Sequence, residues 1–284
     1  MEIQIEHPFK EMWRMFVRNK AALFGLGLLV VIILSASVGP FLYPTDPFDM
    51  VSAPLSPPGQ DGCLLGTDYL GRDVLAGIVH GGRATLMVGA AAAFCTVLIG
   101  VVLGATSGFY GGWVDAVLMR VTEFFQVLPP LLFAMVLVTM FSPSLVTVAL
   151  SIGLVSWPAV ARLTRGEFLK IREREFVLAA RSIGARNRRI IWRVILPNAL
   201  PPLIVTATLI IGVAILFEAG LSFLGLSDPN IMSWGFMIGS NRDYIFESWW
   251  TVTFPGMAIF LTVLAVSLVG DGLTDALNPK LRQL

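Results

Sequence analysis

Charged residues are missing from long parts of the chain. Five stretches contain none at all, over residues 21–45, 84–114, 124–161, 194–217 and 248–270. About 20 helical residues cross a bilayer core roughly 30 Å thick. The stretch 124–161 is long enough for two crossings, and the sequence Phe-Ser-Pro-Ser at 141–144 breaks it in the middle. The pattern therefore predicts an all-α integral membrane protein with six transmembrane helices.

These spans divide the chain into five regions. They are an N-terminal segment (1–20), the first transmembrane helix (21–45), an outer loop (46–83), a five-helix core that includes an inner loop at 162–197 (84–275), and a tail (276–284). In the outer loop, Thr67 or Asp68 is suited to capping the start of a helix. That helix would place four apolar side chains on one face, those of Leu70, Val74, Leu75 and Ile78. We therefore predict a helix here that lies at the membrane interface.

The composition agrees with a membrane location. Of the 284 residues, 56% are hydrophobic and 14% are charged, whereas soluble domains average roughly 25% charged residues. A pI near 7.8 gives no sign of a nucleic-acid partner. Two cysteines and two histidines in distant parts of the chain predict neither a disulfide framework nor a metal site.

The distribution of lysine and arginine predicts the orientation. With six spans, both termini share one side with the loops at 107–123 and 162–193. That side holds 17 of the 20 basic residues, and the other side holds Arg72, Arg83 and Arg242. Because cytoplasmic loops carry an excess of Lys and Arg, both termini are predicted to be cytoplasmic.

The inner loop carries a helical pattern between two spans. Phe176, Ala180 and Ile183 repeat at helical spacing, and Gly184 is suited to ending the helix in a left-handed conformation. A basic amphipathic helix of this kind either rests on anionic lipid headgroups or docks into a groove on a partner. The composition alone leaves both alternatives open.

Glu218 is the only acidic residue in an otherwise apolar span. A carboxylate in hydrocarbon costs about 3 kcal/mol on insertion scales, so this side chain is expected to face protein or water. It either lies on a translocation path or packs the fifth span against a neighbouring helix or the outer loop.

Several segments of the sequence resemble a known family. The inner loop is similar to the EAA loop of ABC-importer permeases, with Leu178-Ala179-Ala180, then Gly184, then Val194-Ile195-Leu196-Pro197 at the family's spacing. Leu178 stands where the family has glutamate. Three further segments resemble motifs of the dipeptide, oligopeptide and nickel permeases, at 66–75 (GTDYLGRDVL), 218–226 (EAGLSFLGL) and 270–279 (GDGLTDALNP). The last has Asn278 where aspartate is usual, and the whole chain resembles the second, C-type permease of such importers.

The resemblance implies a type I ABC-importer permease fold and a set of partners. They are a second homologous permease, two ABC ATPase subunits and an extracytoplasmic substrate-binding protein, in contact with membrane lipid. The residues implied in coupling to the ATPase are Phe176, Leu178, Ala179, Ala180, Ile183, Gly184 and Pro197. Those implied in docking the binding protein are Arg72, Asp73 and Arg83. ATP and Mg²⁺ would be bound by the ATPase subunits.

The alternative is a secondary transporter that works without an ATPase. Such carriers have internal repeats and ion ligands within the membrane, and neither is evident in the sequence. The chain also has no phosphate-binding loop of the G-x-x-x-x-G-K-[ST] type. It is therefore predicted to be a permease subunit rather than an enzyme, with a peptide as the default substrate.

Overall fold

The computed structural model describes residues 8–277, with side chains from residue 12 onward. Residues 1–7 and 278–284, including the end of the predicted C-terminal motif, lie outside this part. Most of the described chain is helical. The helices are α1 (Pro8–Arg18), α2 (Lys20–Leu42), α3 (Val74–Tyr110), α4 (Gly112–Val127), α5 (Pro130–Phe141), α6 (Leu145–Arg172), α7 (Glu175–Ser182), α8 (Asn187–Arg189), α9 (Leu196–Phe223), α10 (Trp234–Asn241) and α11 (Trp250–Leu277).

Five helices are long and apolar enough to cross a membrane, and α4 with α5 makes a sixth crossing if the pair counts as one span. The two helices of this pair meet at an angle of 88°. Pro129 and Pro130 explain the break, because a proline disfavours helical dihedrals in the residue before it. Leu128 is accordingly extended, with φ −73° and ψ 131°. The sequence predicted the span but not its bend.

The predicted helix at Thr67 or Asp68 is wrong. The Asp68 carboxylate instead accepts hydrogen bonds from the N–H groups of Leu70 (2.8 Å) and Arg72 (2.9 Å), which forms a turn. Gly71 then has φ +79°, outside the range of a right-handed helix. The helix begins only at Val74, capped by the Asp73 carboxylate on the N–H of Leu75 (2.8 Å).

α3 is also longer than a membrane span. Its 37 residues extend over about 55 Å at 1.5 Å per residue, well beyond a bilayer core of about 30 Å. The boundary predicted between residues 83 and 84 therefore falls inside one continuous helix. No separate interfacial helix precedes it within the described outer loop.

The core is organised by close packing of α3 against α6. Gly100, Gly104 and Gly108 follow one another at four-residue spacing, and a Cβ on Gly104 would lie 2.3 Å from the Ala161 carbonyl oxygen. Glycines at this spacing let two membrane helices approach closely. α9 packs on the outer half of α3, where Gly89 faces Ile215.

The two ends of the bundle are each tied together by polar contacts. At one end, the Asn19 side chain donates a hydrogen bond to Asp275 (2.9 Å), which joins the start of α2 to the last turns of α11. At the other end, the Trp250 indole N–H donates to the Thr67 carbonyl (3.1 Å) in the outer loop. The start of α2 and the end of α11 therefore meet on the side opposite the outer loop.

Candidate functional site

The inner loop presents an apolar surface on α7 and the turn after it. The side chains of Phe176 and Leu178 are each 46% exposed, and that of Ile183 is 85% exposed. Ala179 is exposed and Ala180 is half-buried. Large apolar side chains held in this way on a short loop helix are typical of a surface that contacts another protein or the membrane.

A buried hydrophobic cluster under α7 holds the helix in place. Val177, on the opposite face of the helix, is fully buried and belongs to a cluster with Phe168, Ile190 and Ile195. The Arg181 guanidinium lies over the ring of Phe109, 5.5 Å from its centroid. This cluster joins α7 to α3, α6 and α9.

Gly184 ends the α7 segment, as the sequence predicts. Its φ is +76°, a conformation that a side chain disfavours. The N–H of Ala185 donates to the Ala180 carbonyl (3.1 Å) and that of Gly184 to the Arg181 carbonyl (2.9 Å). Such bonds satisfy the last carbonyls of a helix. Pro197, the last residue of the loop motif, is exposed in the first turn of α9, after a π-helical segment at Ile190–Ile195.

An ion pair fastens the same end of the bundle. Asp115 on α4 accepts two hydrogen bonds from Arg165 on α6, each 2.6 Å long, and a third from the hydroxyl of Ser107. Arg172 donates to the Gly108 carbonyl (3.0 Å). The bidentate geometry fixes orientation as well as distance. The turn between α3 and α4 is thus tied to the end of α6 from which the inner loop departs.

Asp73, which the family resemblance implied in docking the binding protein, does not lie on an exposed surface. Its side chain is only 3% exposed, caps α3 and accepts a hydrogen bond from the Tyr43 hydroxyl. That bond, together with burial, raises the pKa of Tyr43 to about 12. Asp73 therefore joins the end of α2 to the start of α3 and is not available for docking a large partner.

The two arginines predicted beside it differ from each other. Arg72 is half-buried, with its guanidinium 5.1 Å from the centroid of the Phe48 ring. Arg83 is exposed on α3 and lines an outer cavity of about 430 Å³, together with Asp46 and His80. Of the three residues predicted to dock the binding protein, only Arg83 is exposed. Nearby, burial raises the pKa of the Asp68 carboxyl.

Glu218 lies in the interior and is 2% exposed. Its Oε1 atom accepts hydrogen bonds from the hydroxyls of Ser222 and Ser233, each 2.8 Å long. Ser233 also caps α10, because its Oγ accepts the N–H of Phe236 (3.1 Å). Glu218 thus joins the outer end of α9 to the segment before α10.

The small residues of α10 allow this contact. A Cβ on Gly235 would lie 2.8 Å from Ala219 Cα, and one on Gly239 would lie 2.6 Å from the Ser222 carbonyl oxygen. Trp234, the first residue of α10, donates its indole N–H to the Ile78 carbonyl (2.9 Å). Ser233, Gly235 and Gly239 were not predicted from the sequence. The i, i+4 spacing of Gly235 and Gly239 is a local signal for the two glycines.

Two family models match this chain. The sequence model of the family described as binding-protein-dependent transport system inner membrane component matches residues 100–283. A second model, for the N-terminal transmembrane domain of oligopeptide transport permease C, matches residues 7–58. The chain belongs to the family of binding-protein-dependent permeases. It is a multi-pass membrane protein, and this membership gives no support to the secondary-transporter alternative.

Curated relatives match nearly the whole chain. The di/tripeptide transport system permease protein DppC of Pseudomonas aeruginosa is 42% identical over 97% of this chain and 93% of its own length. The dipeptide transport system permease protein DppC of Alkalihalophilus pseudofirmus is 38% identical over 97% and 91%. DppC of Haemophilus influenzae is 38% identical over 97% and 96%.

A solved structure agrees on the fold. The inward-facing MetNI methionine ABC transporter matches with a TM-score of 0.60, covering 71% of this chain and 96% of the other. At 20% identity, this likeness supports the fold alone. It confirms the prediction of a type I importer permease architecture.

Proposed function

We propose that this chain forms half of the translocation path of an ATP-driven importer for short peptides. A second, homologous permease would form the other half, and an extracytoplasmic binding protein would deliver the substrate. The relatives' names support the peptide class, since they refer to transport of dipeptides or of di- and tripeptides. Family membership supports the binding protein as a partner.

The proposal is supported above all by the exposed apolar surface of α7, which the buried cluster around Val177 holds in place. Phe176, Leu178 and Ile183 supply apolar area for a groove on a cytoplasmic ATPase. Gly184 and Ala180 shape the end of the helix that would enter this groove. ATP and Mg²⁺ would be bound by the ATPase subunits. Closure of an ATPase pair would then displace α7 as a rigid body.

The packing supports a route for this displacement. Val177 lies in one cluster with residues of α3, α6 and α9, and packed interiors transmit strain because they contain few voids. The pair Asp115–Arg165 would carry the motion to α4. Switching between inward and outward access would follow as these helices shift against the second permease.

The orientation with both termini in the cytoplasm belongs to the same proposal. It rests on the excess of basic residues on the side of the inner loop. The binding protein would then approach the outer loop and α10, where Arg83 is exposed. For Glu218 we favour the packing role over a position on the path, because its contacts join α9 to the segment before α10.

Ile183→Asp tests the coupling surface. A carboxylate at this 85%-exposed position would have to be desolvated in an apolar groove. The ATPase subunits should be lost on purification in mild detergent, and ATP-driven uptake of a dipeptide should fall at least about tenfold, a change equivalent to about 1.4 kcal/mol. The matched control is Asn187→Asp, which places the same charge at an exposed polar position of the same loop.

Three outcomes are decisive. Loss of ATPase subunits in Ile183→Asp alone, with normal membrane insertion, supports the coupling surface. Normal uptake by Ile183→Asp with a full set of subunits would show that the ATPase binds elsewhere. Dipeptide uptake by the wild-type chain without any ATPase would establish a secondary carrier instead.

A further inference from the structure

A pocket of arginine side chains lies between α7 and α9. Four arginines and Trp192 line a cavity of about 440 Å³, the arginines being Arg186, Arg188, Arg189 and Arg193. All five side chains are exposed. Within the described residues, none of the four arginines forms an ion pair with a carboxylate. No aspartate or glutamate occurs anywhere from residue 176 to residue 217, so the positive charge of this pocket is not neutralised by the chain around it.

The local backbone explains why Trp192 and Arg193 point outward. Residues 190–195 form a π-helix, in which the N–H of Leu196 donates to the Ile191 carbonyl, five residues earlier. A π-helix places residues five apart on one face. Ile190 and Ile195 accordingly are both fully buried. With these two isoleucines anchored in the core, Trp192 and Arg193 between them are directed to the surface.

The position of the pocket distinguishes it from the surface on α7. It directly precedes α9, an apolar span in which Leu200 and Ile204 are both more than 40% exposed. In the proposed topology, the arginines lie at the cytoplasmic headgroup level and these apolar residues lie in the bilayer. Arginine presents a planar fork of N–H donors that matches phosphate oxygens, and tryptophan favours the interface.

We propose that this arginine pocket binds the phosphate headgroup of an anionic phospholipid from the cytoplasmic leaflet. Basic pockets at the cytoplasmic ends of membrane helices suit such headgroups. The exposed apolar residues at the start of α9 offer a contact surface for the acyl chains of a phospholipid. A soluble phosphate has no acyl chains and could not use this surface. Bound lipid would brace the connection between the coupling helix and α9. This inference rests on the proposed orientation, but not on the peptide substrate.

The test measures lipid binding to the purified permease with its accompanying subunits. The complex is stripped of lipid in mild detergent and titrated with phosphatidylglycerol, and bound lipid is counted by native mass spectrometry. The double variant Arg188→Gln with Arg189→Gln should bind phosphatidylglycerol about 30-fold more weakly, since each basic residue near an anionic membrane contributes a factor of about five. The charge-retaining pair Arg188→Lys with Arg189→Lys should fall between this variant and the wild type.

The control removes two positive charges elsewhere on the same side of the bundle. Arg120→Gln with Lys170→Gln alters exposed residues that each pair with a glutamate, and its lipid binding should equal that of the wild type. A phosphatidylcholine titration should show no difference among the variants. An excess of inorganic phosphate should not displace the bound phosphatidylglycerol.

Three results would overturn the lipid proposal, and a fourth would refute only the proposed substrate. Equal phosphatidylglycerol binding by the glutamine pair and the wild type would exclude the site. Displacement by inorganic phosphate would indicate a soluble anion as ligand. Loss of ATPase subunits from the glutamine pair, without a change in lipid binding, would assign the arginines to the ATPase. Wild-type lipid binding in a complex that does not take up peptides would refute the proposed substrate while leaving the lipid site intact.

Discussion

The contacts of Glu218 are specific enough to be tested residue by residue. Its Oε1 is the shared acceptor of two buried serine hydroxyls, one from the same helix and one from the segment before α10. A packing role therefore predicts that the effects of altering Glu218 and Ser233 depend on each other. A role on the translocation path makes no such demand.

Ser233→Ala should lower the free energy of unfolding by about 1–2 kcal/mol, because a buried hydrogen bond and a helix cap are both lost. Glu218→Ala should cost about 2–4 kcal/mol, since it also leaves a cavity. The double variant should cost less than the two single costs added together, because the bond between Glu218 and Ser233 is removed in each single variant, whereas the loss of the helix cap still adds in full. Thermal unfolding in detergent measures these differences, and Ser227→Ala in the same loop serves as control. Fully additive costs would contradict the contact.

The hydrogen bond from Tyr43 to Asp73, which joins the end of α2 to the start of α3, makes the stability of the protein depend on pH above pH 10. Its hydroxyl donates to Asp73 and its pKa is raised from 10.0 to about 12, first by that bond and then by burial. A raised pKa means that the folded state holds the proton more tightly than the unfolded state. The stability from this bond is therefore complete below pH 10 and is lost as the pH rises from 10 to 12.

Tyr43→Phe should remove this part of the pH profile. The wild type should lose thermal stability more steeply than the variant between pH 10 and 12, and the two slopes should agree below pH 10. Absorbance of tyrosinate provides a second readout, because the wild type should show one group titrating near 12 that is missing from the variant. Identical profiles across this range would show that the Tyr43–Asp73 bond is not formed.

At the scale of helices, the contact between α3 and α6 depends on glycine at close approach. A methyl group on Gly104 would lie 2.3 Å from a backbone carbonyl oxygen of α6, so one helix must move to accommodate it. Gly166, on α6 itself, has open space where a Cβ would lie, with nothing within 4 Å. The two glycines therefore form a matched pair of sites for the same substitution.

Gly104→Ala should destabilise the permease by about 1–3 kcal/mol, the usual cost of overpacking. Gly166→Ala should be neutral or stabilising by up to about 1 kcal/mol, because alanine favours a helix more than glycine does. Thermal unfolding of both variants, with uptake as a second readout, distinguishes them. Equal effects at the two sites would mean that α3 and α6 are not in contact at Gly104.

Hydropathy predicted six crossings, and the structure has five long apolar helices and a bent pair that makes a sixth if it counts as one span. Hydropathy did not predict where the spans begin and end. The predicted boundary at residue 84 followed the charge on Arg83, yet α3 continues ten residues further toward its start at Val74, because a helix that extends beyond the bilayer tolerates polar residues. The turn at Asp68–Gly71 depends on side-chain to backbone bonds, which periodicity does not detect. The bend at Leu128 was not predicted, although the two prolines that follow it are a signal for such a break in a helix.

Among the predicted site residues, some follow from local spacing and others depend on the tertiary fold. Phe176, Ile183 and the helix end at Gly184 were predicted from local spacing, whereas Leu178 was named from the family resemblance. Glu218 was recognised as unusual and Asp73 was named from the family resemblance, but their partners Ser233 and Tyr43 lie 15 and 30 residues away. Such pairings depend on the tertiary fold. The role of Asp73 was for this reason mistaken for an exposed docking charge.

For the molecule as a whole, the structure separates two polar ends, and the proposal assigns one of them to the cytoplasm. Gln60 is exposed in the outer loop and Ser182 is exposed at the end of α7. The described part of the chain contains two free cysteines, Cys63 and Cys95. Replacing both with serine provides a background in which a single introduced cysteine reports the side of the membrane on which it lies.

In that background, Gln60→Cys should react with a membrane-impermeant maleimide in right-side-out vesicles, and Ser182→Cys should react only in inverted vesicles. The physical reason is the 17-to-3 bias of basic residues toward the α7 end, which retains that end in the cytoplasm during insertion. Detergent-solubilised samples serve as the control, because both cysteines should then react equally. Labelling of Ser182→Cys in right-side-out vesicles would show that the orientation is opposite to the proposed one. The α7 surface could then not contact a cytoplasmic ATPase.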